Sequence, residues 1–183
     1  MKLSDEYQYI VLCEDAQMKS FILSFLISQG ISSRKIRVRN YPAGSGCGEA
    51  FVRTEYPNEI LYLRSVNYNK IALIVATDAD GLSCGDRRKI LDKEALSLIP
   101  GWGRTDEVIM IWIPKREIET WIRFFGGYVV DETMSFSHTG KPVGCKEEAK
   151  LMSEYCQGIS SISVLPSIEL AKIEYDRTCS LQK

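Results

Sequence analysis

The stretch from Lys70 to Arg88, KIALIVATDADGLSCGDRR, limits what this chain can fold into more than any other. Ile71 to Ala76 form a continuous apolar run rich in β-branched residues, the pattern of a strand covered on both faces, as in a parallel sheet. Such a strand needs helices above and below it. The expected fold class is therefore α/β: an open, mostly parallel sheet flanked by helices, with a helical C-terminal segment. Just past the run stand Asp78 and Asp80. Strand alternation sends residues i and i+2 to one side, so the two carboxylates are expected to share a face while Ala79 points away, and Gly81 permits the turn beyond. In open α/β sheets the ligand crevice lies outside the carboxyl ends of the strands. A polar turn with no further role is the plain alternative, because short acidic turns after strands are common.

A chain of 183 residues, 45% hydrophobic and 26% charged, is large enough for one ordinary domain with a real core and short for two. One domain over residues 1–183 is expected, with a core at 7–125 and a helical extension at 126–183. The net charge of −1 provides no global positive field for nucleic acid and leaves that role to local patches. No apolar run approaches the roughly 20 residues that cross a bilayer. The start, MKLSDEYQY, does not resemble a signal peptide, so a cytosolic protein without membrane contact is expected. Cysteines at 13, 47, 84, 145, 156 and 179 form no CxxC pair and are accompanied by one histidine, His138, which excludes a zinc framework and makes reduced thiols the default.

Other strand ends repeat the acidic pattern. Tyr7 to Leu12 reads as the first strand and runs into Cys13, Glu14 and Asp15, which places Glu14 where Asp78 stands on the later strand. Ala16 to Gln29 has the spacing of a helix face against a sheet, closed by Gly30. Lys35 to Tyr41 alternates basic and apolar residues, a strand whose Arg37 and Arg39 are expected to be solvated. The segment PAGSGCGEAF then frees the backbone at Gly44, Gly46 and Gly48. Its N–H groups, with Ser45, form either an anion-contacting loop or a plain connector, since neither a P-loop nor GxGxxG is present. Glu49 to Arg64 reads as a helix interrupted at Pro57.

Residues 84–98 read as a helix with Ile90, Leu91, Ala95 and Leu98 inward; Arg87 and Arg88 near its start are either solvated or available to a phosphate. Asp106 to Ile113 is another buried strand stopped by Pro114, followed by a short amphipathic helix in KREIETWIRFFGG. Helix geometry turns Glu117 and Glu119 about 200° apart, so one of them at most faces the crevice. A polar loop containing His138 and two further helices, Lys146 to Tyr155 and Pro166 to Cys179, complete the chain.

Glu14, Asp78, Asp80 and one later glutamate thus fall at strand ends that a parallel sheet sets side by side. Hard oxygen ligands without histidine or cysteine suit Mg²⁺ or Mn²⁺, which keep several waters and bind substrate phosphates. That chemistry is metal-assisted phosphoryl transfer.

IVLCEDA, with Glu14, followed by LIVATDADG, with Asp78 and Asp80, is similar to the Toprim domain of topoisomerases, primases and recombination and defence nucleases. That resemblance covers Tyr7 to Phe125 and implies a Toprim/Rossmann-like sheet, Glu14 as general acid or base, and Asp78 and Asp80 as Mg²⁺ ligands. IPKREIETWI looks like an element of small Toprim-like proteins of phage-defence loci, including relatives of OLD-type nucleases, and points to Glu119, followed by Trp121, as a further ligand. Where the family commonly has Glu-Gly, this chain has Glu14-Asp15, a bulkier and more acidic turn.

The expectation is a Mg²⁺-dependent (or Mn²⁺-dependent) endonuclease acting on DNA or RNA, with an ATPase partner implied by the family. Gly44, Ser45, Gly46, Arg87 and Lys115 are its expected substrate contacts. The competing expectations are a Toprim-like docking module with vestigial carboxylates and a different α/β phosphotransfer enzyme on the same sheet.

Overall fold

The computed structural model describes residues 1–39, 48–66, 70–136 and 144–183. Within them the chain forms, in order, β1 (Gln8–Cys13), α1 (Ala16–Ser28), β2 (Ile36–Arg39), α2 (Gly48–Ser65), β3 (Ile71–Ala76), α3 (Cys84–Leu98), β4 (Ile109–Trp112), α4 (Ile118–Phe125), α5 (Lys146–Gln157) and α6 (Pro166–Leu181). All strand pairs are parallel, in the order β2-β1-β3-β4. The chain therefore steps outward from β1 to β2, then returns past β1 to β3. The strand order reverses between β1 and β3, the position at which open α/β sheets bind ligands beyond the carboxyl ends of their strands.

Side-chain alternation divides the core into two layers. Tyr9, Val11, Cys13, Ala72, Ile74, Ala76, Met110 and Trp112 face one side, where α1, α4, α5 and α6 supply Phe21, Phe25, Trp121, Met152 and Tyr175. Ile10, Leu12, Leu73, Val75, Ile109 and Ile111 face the other, against Val52, Tyr56 and Ile60 of α2 and Leu91 and Ala95 of α3. Helices on both faces explain why β3 and β4 are apolar at every position, and β1 at every position after Gln8, rather than at every second one. The first layer is centred on aromatic rings, with Phe25 edge-on to Trp112 at 4.7 Å and Trp112 to Trp121 at 5.8 Å between centroids. The α5–α6 segment contributes Ala149, Met152, Ile168 and Ala171 to that same layer.

Three local expectations are corrected. Pro57 does not interrupt α2, which continues through it from Gly48 to Ser65. An interior proline costs roughly 3 kcal/mol, and burial of Val52, Tyr56 and Ile60 on either side of it holds the helix together. In α3 the inward stripe is Arg87, Leu91 and Ala95, and Leu98 is turned to solvent. Arg39 is not simply solvated: it pairs with Glu59, a buried carboxylate of α2, and lies over the Tyr62 ring. No helix among the described residues is long and apolar enough to cross a membrane.

Candidate functional site

Glu14 is the first residue beyond β1, and Thr77 and Asp78 are the first two beyond β3. Because β1 and β3 are direct neighbours, in register as far as Cys13 opposite Ala76, the side chains that follow them meet. The Glu14 carboxylate accepts a hydrogen bond from the Thr77 hydroxyl at 2.6 Å and another from the Asp78 backbone N–H at 3.1 Å. The loop after β3 is itself braced against the end of β4: Thr77 N–H donates to the Trp112 carbonyl and Ala79 N–H to the Pro114 carbonyl. This extension of the ladder buries Ala79 completely in the layer under α2 and α3 and leaves Asp78 only 7% exposed.

β3 ends at Ala76, and regular strand alternation does not extend to Asp80. The chain leaves the extended conformation at Asp80, which has φ of 50°, and Gly81 follows with φ of 85°. A left-handed non-glycine residue is uncommon, and aspartate tolerates it better than most. The turn sends the Asp80 carboxylate to a half-exposed position with one oxygen 3.7 Å from Arg87 Nη2. Arg87 is buried, donates to Glu49 Oε1 at 2.6 Å and reaches the Ala79 carbonyl, so its guanidinium braces the carboxylate turn from below.

Glu119, the second residue of α4, is near enough that its charge raises the Asp78 pKa. Glu117 goes the other way: it is buried and accepts from the Ser135 hydroxyl and the Phe136 N–H. Lys115 reaches back from the end of β4 to the Leu82 carbonyl at 2.6 Å, tying the β4 exit to the aspartate turn. Gly44, Ser45, Gly46 and His138 lie outside the described residues.

The extra acid at Asp15 has a structural role. Its Oδ1 accepts from Met18 N–H at 2.7 Å, capping α1, and its backbone is extended with φ of −143°, a conformation open to any residue. The close approach that demands glycine occurs instead at Gly48, the first residue of α2, where a Cβ would lie 2.5 Å from the Glu14 carbonyl oxygen. Sequence reasoning missed Thr77 and Glu49, which orient Glu14 and Arg87. Thr77 was adjacent to the acidic motif and detectable as a hydroxyl donor. Nothing in the sequence linked Glu49 to Arg87.

Electrostatically the site is under tension. Burial pushes the Asp78 carboxyl well above its ordinary value, and the charges of Glu14, Asp15, Asp80 and Glu119 push it further. Burial likewise raises Glu14, against the lowering effect of the hydrogen bonds from Thr77 and Asp78. Cys13, adjoining Glu14, is pushed up to about 12 by burial first, so it stays a thiol. Among the described residues, no three carboxylate, histidine or cysteine side chains stand close enough to share one ion as they are placed. The donor set nevertheless fits a hydrated divalent cation. Asp78 Oδ1 is buried without a hydrogen-bond partner, mutual repulsion disfavours the charged carboxylates, and Mg²⁺ is satisfied by one or two carboxylates with water.

One cavity adjoins Glu14 and another lies beyond Ser83 and Lys115. The first, of about 530 Å³, begins at Glu14 and extends past Asp15, Lys19, Val38 and Arg39. The second, of about 650 Å³, lies toward α3 and α6 and is bordered by Ser83, Cys84, Lys115 and Glu132. Comparison of the chain with protein-family models, with curated proteins and with solved structures finds no match.

Proposed function

We propose that this protein is a divalent-metal-dependent phosphodiesterase of the cytosol that cleaves nucleic acid at the adjoining carboxyl ends of β1 and β3. The observation that carries the reading is the meeting of Glu14 with Asp78, 64 residues later, at the sheet's switch point, through the Asp78 N–H bond to the Glu14 carboxylate. The Toprim resemblance of the two motifs supports it and adds an ATPase partner.

In this reading Asp78 and Asp80 hold Mg²⁺ or Mn²⁺, with Glu119 as a further ligand. The ion would neutralise charge on the phosphate and favour ionisation of the attacking water. Glu14 is held by Thr77 and the Asp78 N–H, and burial raises its pKa toward the range where a carboxyl exchanges protons. It takes the proton of the attacking water as the new oxygen–phosphorus bond forms. The bond to the leaving sugar oxygen then breaks, that oxygen takes a proton from solvent water, and Glu14 releases its proton to solvent. Arg87 keeps Asp80 in place, and Lys115 presents a cation on the β4 side.

The test is incubation of purified protein with supercoiled plasmid and with single-stranded RNA in Mg²⁺ or Mn²⁺. Cleavage is expected, abolished by chelation and lowered roughly 10²- to 10⁴-fold in Asp78→Asn. Activity unchanged in that variant removes the carboxylates from the chemistry. The lack of three converging ligands among the described residues favours a second reading, a docking module whose carboxylates do no catalysis. Calorimetry with millimolar Mg²⁺ or Mn²⁺ that detects no binding would select it.

A further inference from the structure

The cavity of about 530 Å³ beside Glu14 has the size of a site for one nucleotide, and it contains two cations from different elements, Lys19 of α1 and Arg39 of β2. Asp15 stands four residues before Lys19, the spacing of a helical ion pair. Asp15 instead caps α1 through Met18 N–H, and Lys19 forms no ion pair among the described residues. Arg39 is fixed at the opposite wall. Glu59 grips its guanidinium, Tyr62 lies under it at 5.7 Å, and its side chain remains 29% exposed.

A lysine without an ion pair among the described residues and a clamped arginine face one cavity that Glu14 and Asp15 also line, and the two cations suit a phosphate bound one step away from the reacting centre. Lys115, beyond the end of β4, borders the other cavity. Arg39 of β2, Lys19 of α1 and Lys115 describe a track along the carboxyl edge of the sheet, from β2 across β1 and β3 to β4.

We propose that the cavity between Lys19 and Arg39 holds the nucleotide adjoining the scissile bond, with its phosphate between these two cations, so that the substrate is an extended polynucleotide strand rather than a small phosphate ester. This rests on the phosphodiesterase reading for the scissile position, and the binding measurement below does not depend on turnover.

The probe is a fluorescent single-stranded oligonucleotide, titrated by anisotropy in chelator over a range of salt. Lys19→Gln is expected to weaken binding several-fold at low salt and to reduce the slope of log K against log salt by about 0.7, the value of one lost phosphate contact on a single strand. Lys19→Arg restores both. In cleavage assays Lys19→Gln raises KM with kcat retained. A salt slope unchanged in Lys19→Gln, or absence of oligonucleotide binding by the wild-type chain at low salt, overturns the subsite. If the wild type turns over a small phosphodiester but does not bind the oligonucleotide, the subsite fails while the hydrolytic site stands. Lys19-dependent binding without any turnover leaves the subsite standing and removes the phosphodiesterase.

Discussion

Asp78 carries most of the electrostatic cost of the carboxylate cluster, since it is the most buried of the set and is surrounded by other acids. Its raised pKa means that the folded chain holds the proton more tightly than the unfolded chain. The associated stability is fully present below the unfolded carboxyl range and is lost as pH rises through the raised folded value. Asp78→Asn is therefore expected to stabilise the protein near neutral pH by on the order of 1 kcal/mol, a rise in Tm of about 2–4 °C. The gain should shrink toward acid pH, and thermal melts of both proteins across that range check it. Gly48 gives a contrasting prediction. Gly48→Ala places a methyl group against the Glu14 carbonyl oxygen, a backbone atom that cannot rotate aside. Displacing Glu14 by about 1 Å is expected to lower the proposed cleavage roughly 10²-fold, with a stability cost of about 1–3 kcal/mol, measured by assay and melt on the same sample. The sequence made Glu14, Asp78 and Asp80 visible because each follows an apolar run. The direction of Asp80 was not legible, because its left-handed backbone takes it out of strand alternation and its neighbour Arg87 comes from a different element, α3.

At the scale of elements, the edge of the sheet shows how a helix substitutes for a strand. On its outer side β4 is met by α6, whose Glu174 accepts from the Ile111 N–H and whose Arg177 donates to the Ile109 carbonyl. Side chains thus occupy backbone groups that would otherwise invite another strand. Glu174 is also the shared partner of Arg88 and Arg104. Those guanidinium groups hold its pKa below the ordinary value against the raising effect of burial. Removing it strands several cations, so Glu174→Ala should cost about 3–5 kcal/mol in chemical denaturation and increase self-association through the uncovered edge. The helix–strand alternation was legible from periodicity, and β3 was read to its observed bounds. The continuity of α2 through Pro57 was not, because the burial that tolerates a proline belongs to the contact between α2 and the sheet.

For the molecule as a whole, the parallel order β2-β1-β3-β4 converts two distant acidic motifs into one site. A cation bound there favours the folded state, in which the carboxylates are together, over the unfolded chain, in which they are far apart. At ten times its dissociation constant such an ion contributes about 1.4 kcal/mol, or a Tm rise of about 2–4 °C. Mg²⁺ is expected to produce this shift in the wild type and not in Asp78→Asn, as read by thermal melts with and without chelator. By itself the sequence determined which segments are strands buried on both faces and which carboxylates follow them, because solvent exclusion writes apolar runs and turns into the local pattern. Only the tertiary structure decided which strand ends are neighbours, that Arg87 supports Asp80, and that Lys19 and Arg39 face one cavity. Those relations depend on strand order and helix packing, which join residues that no local signal connects.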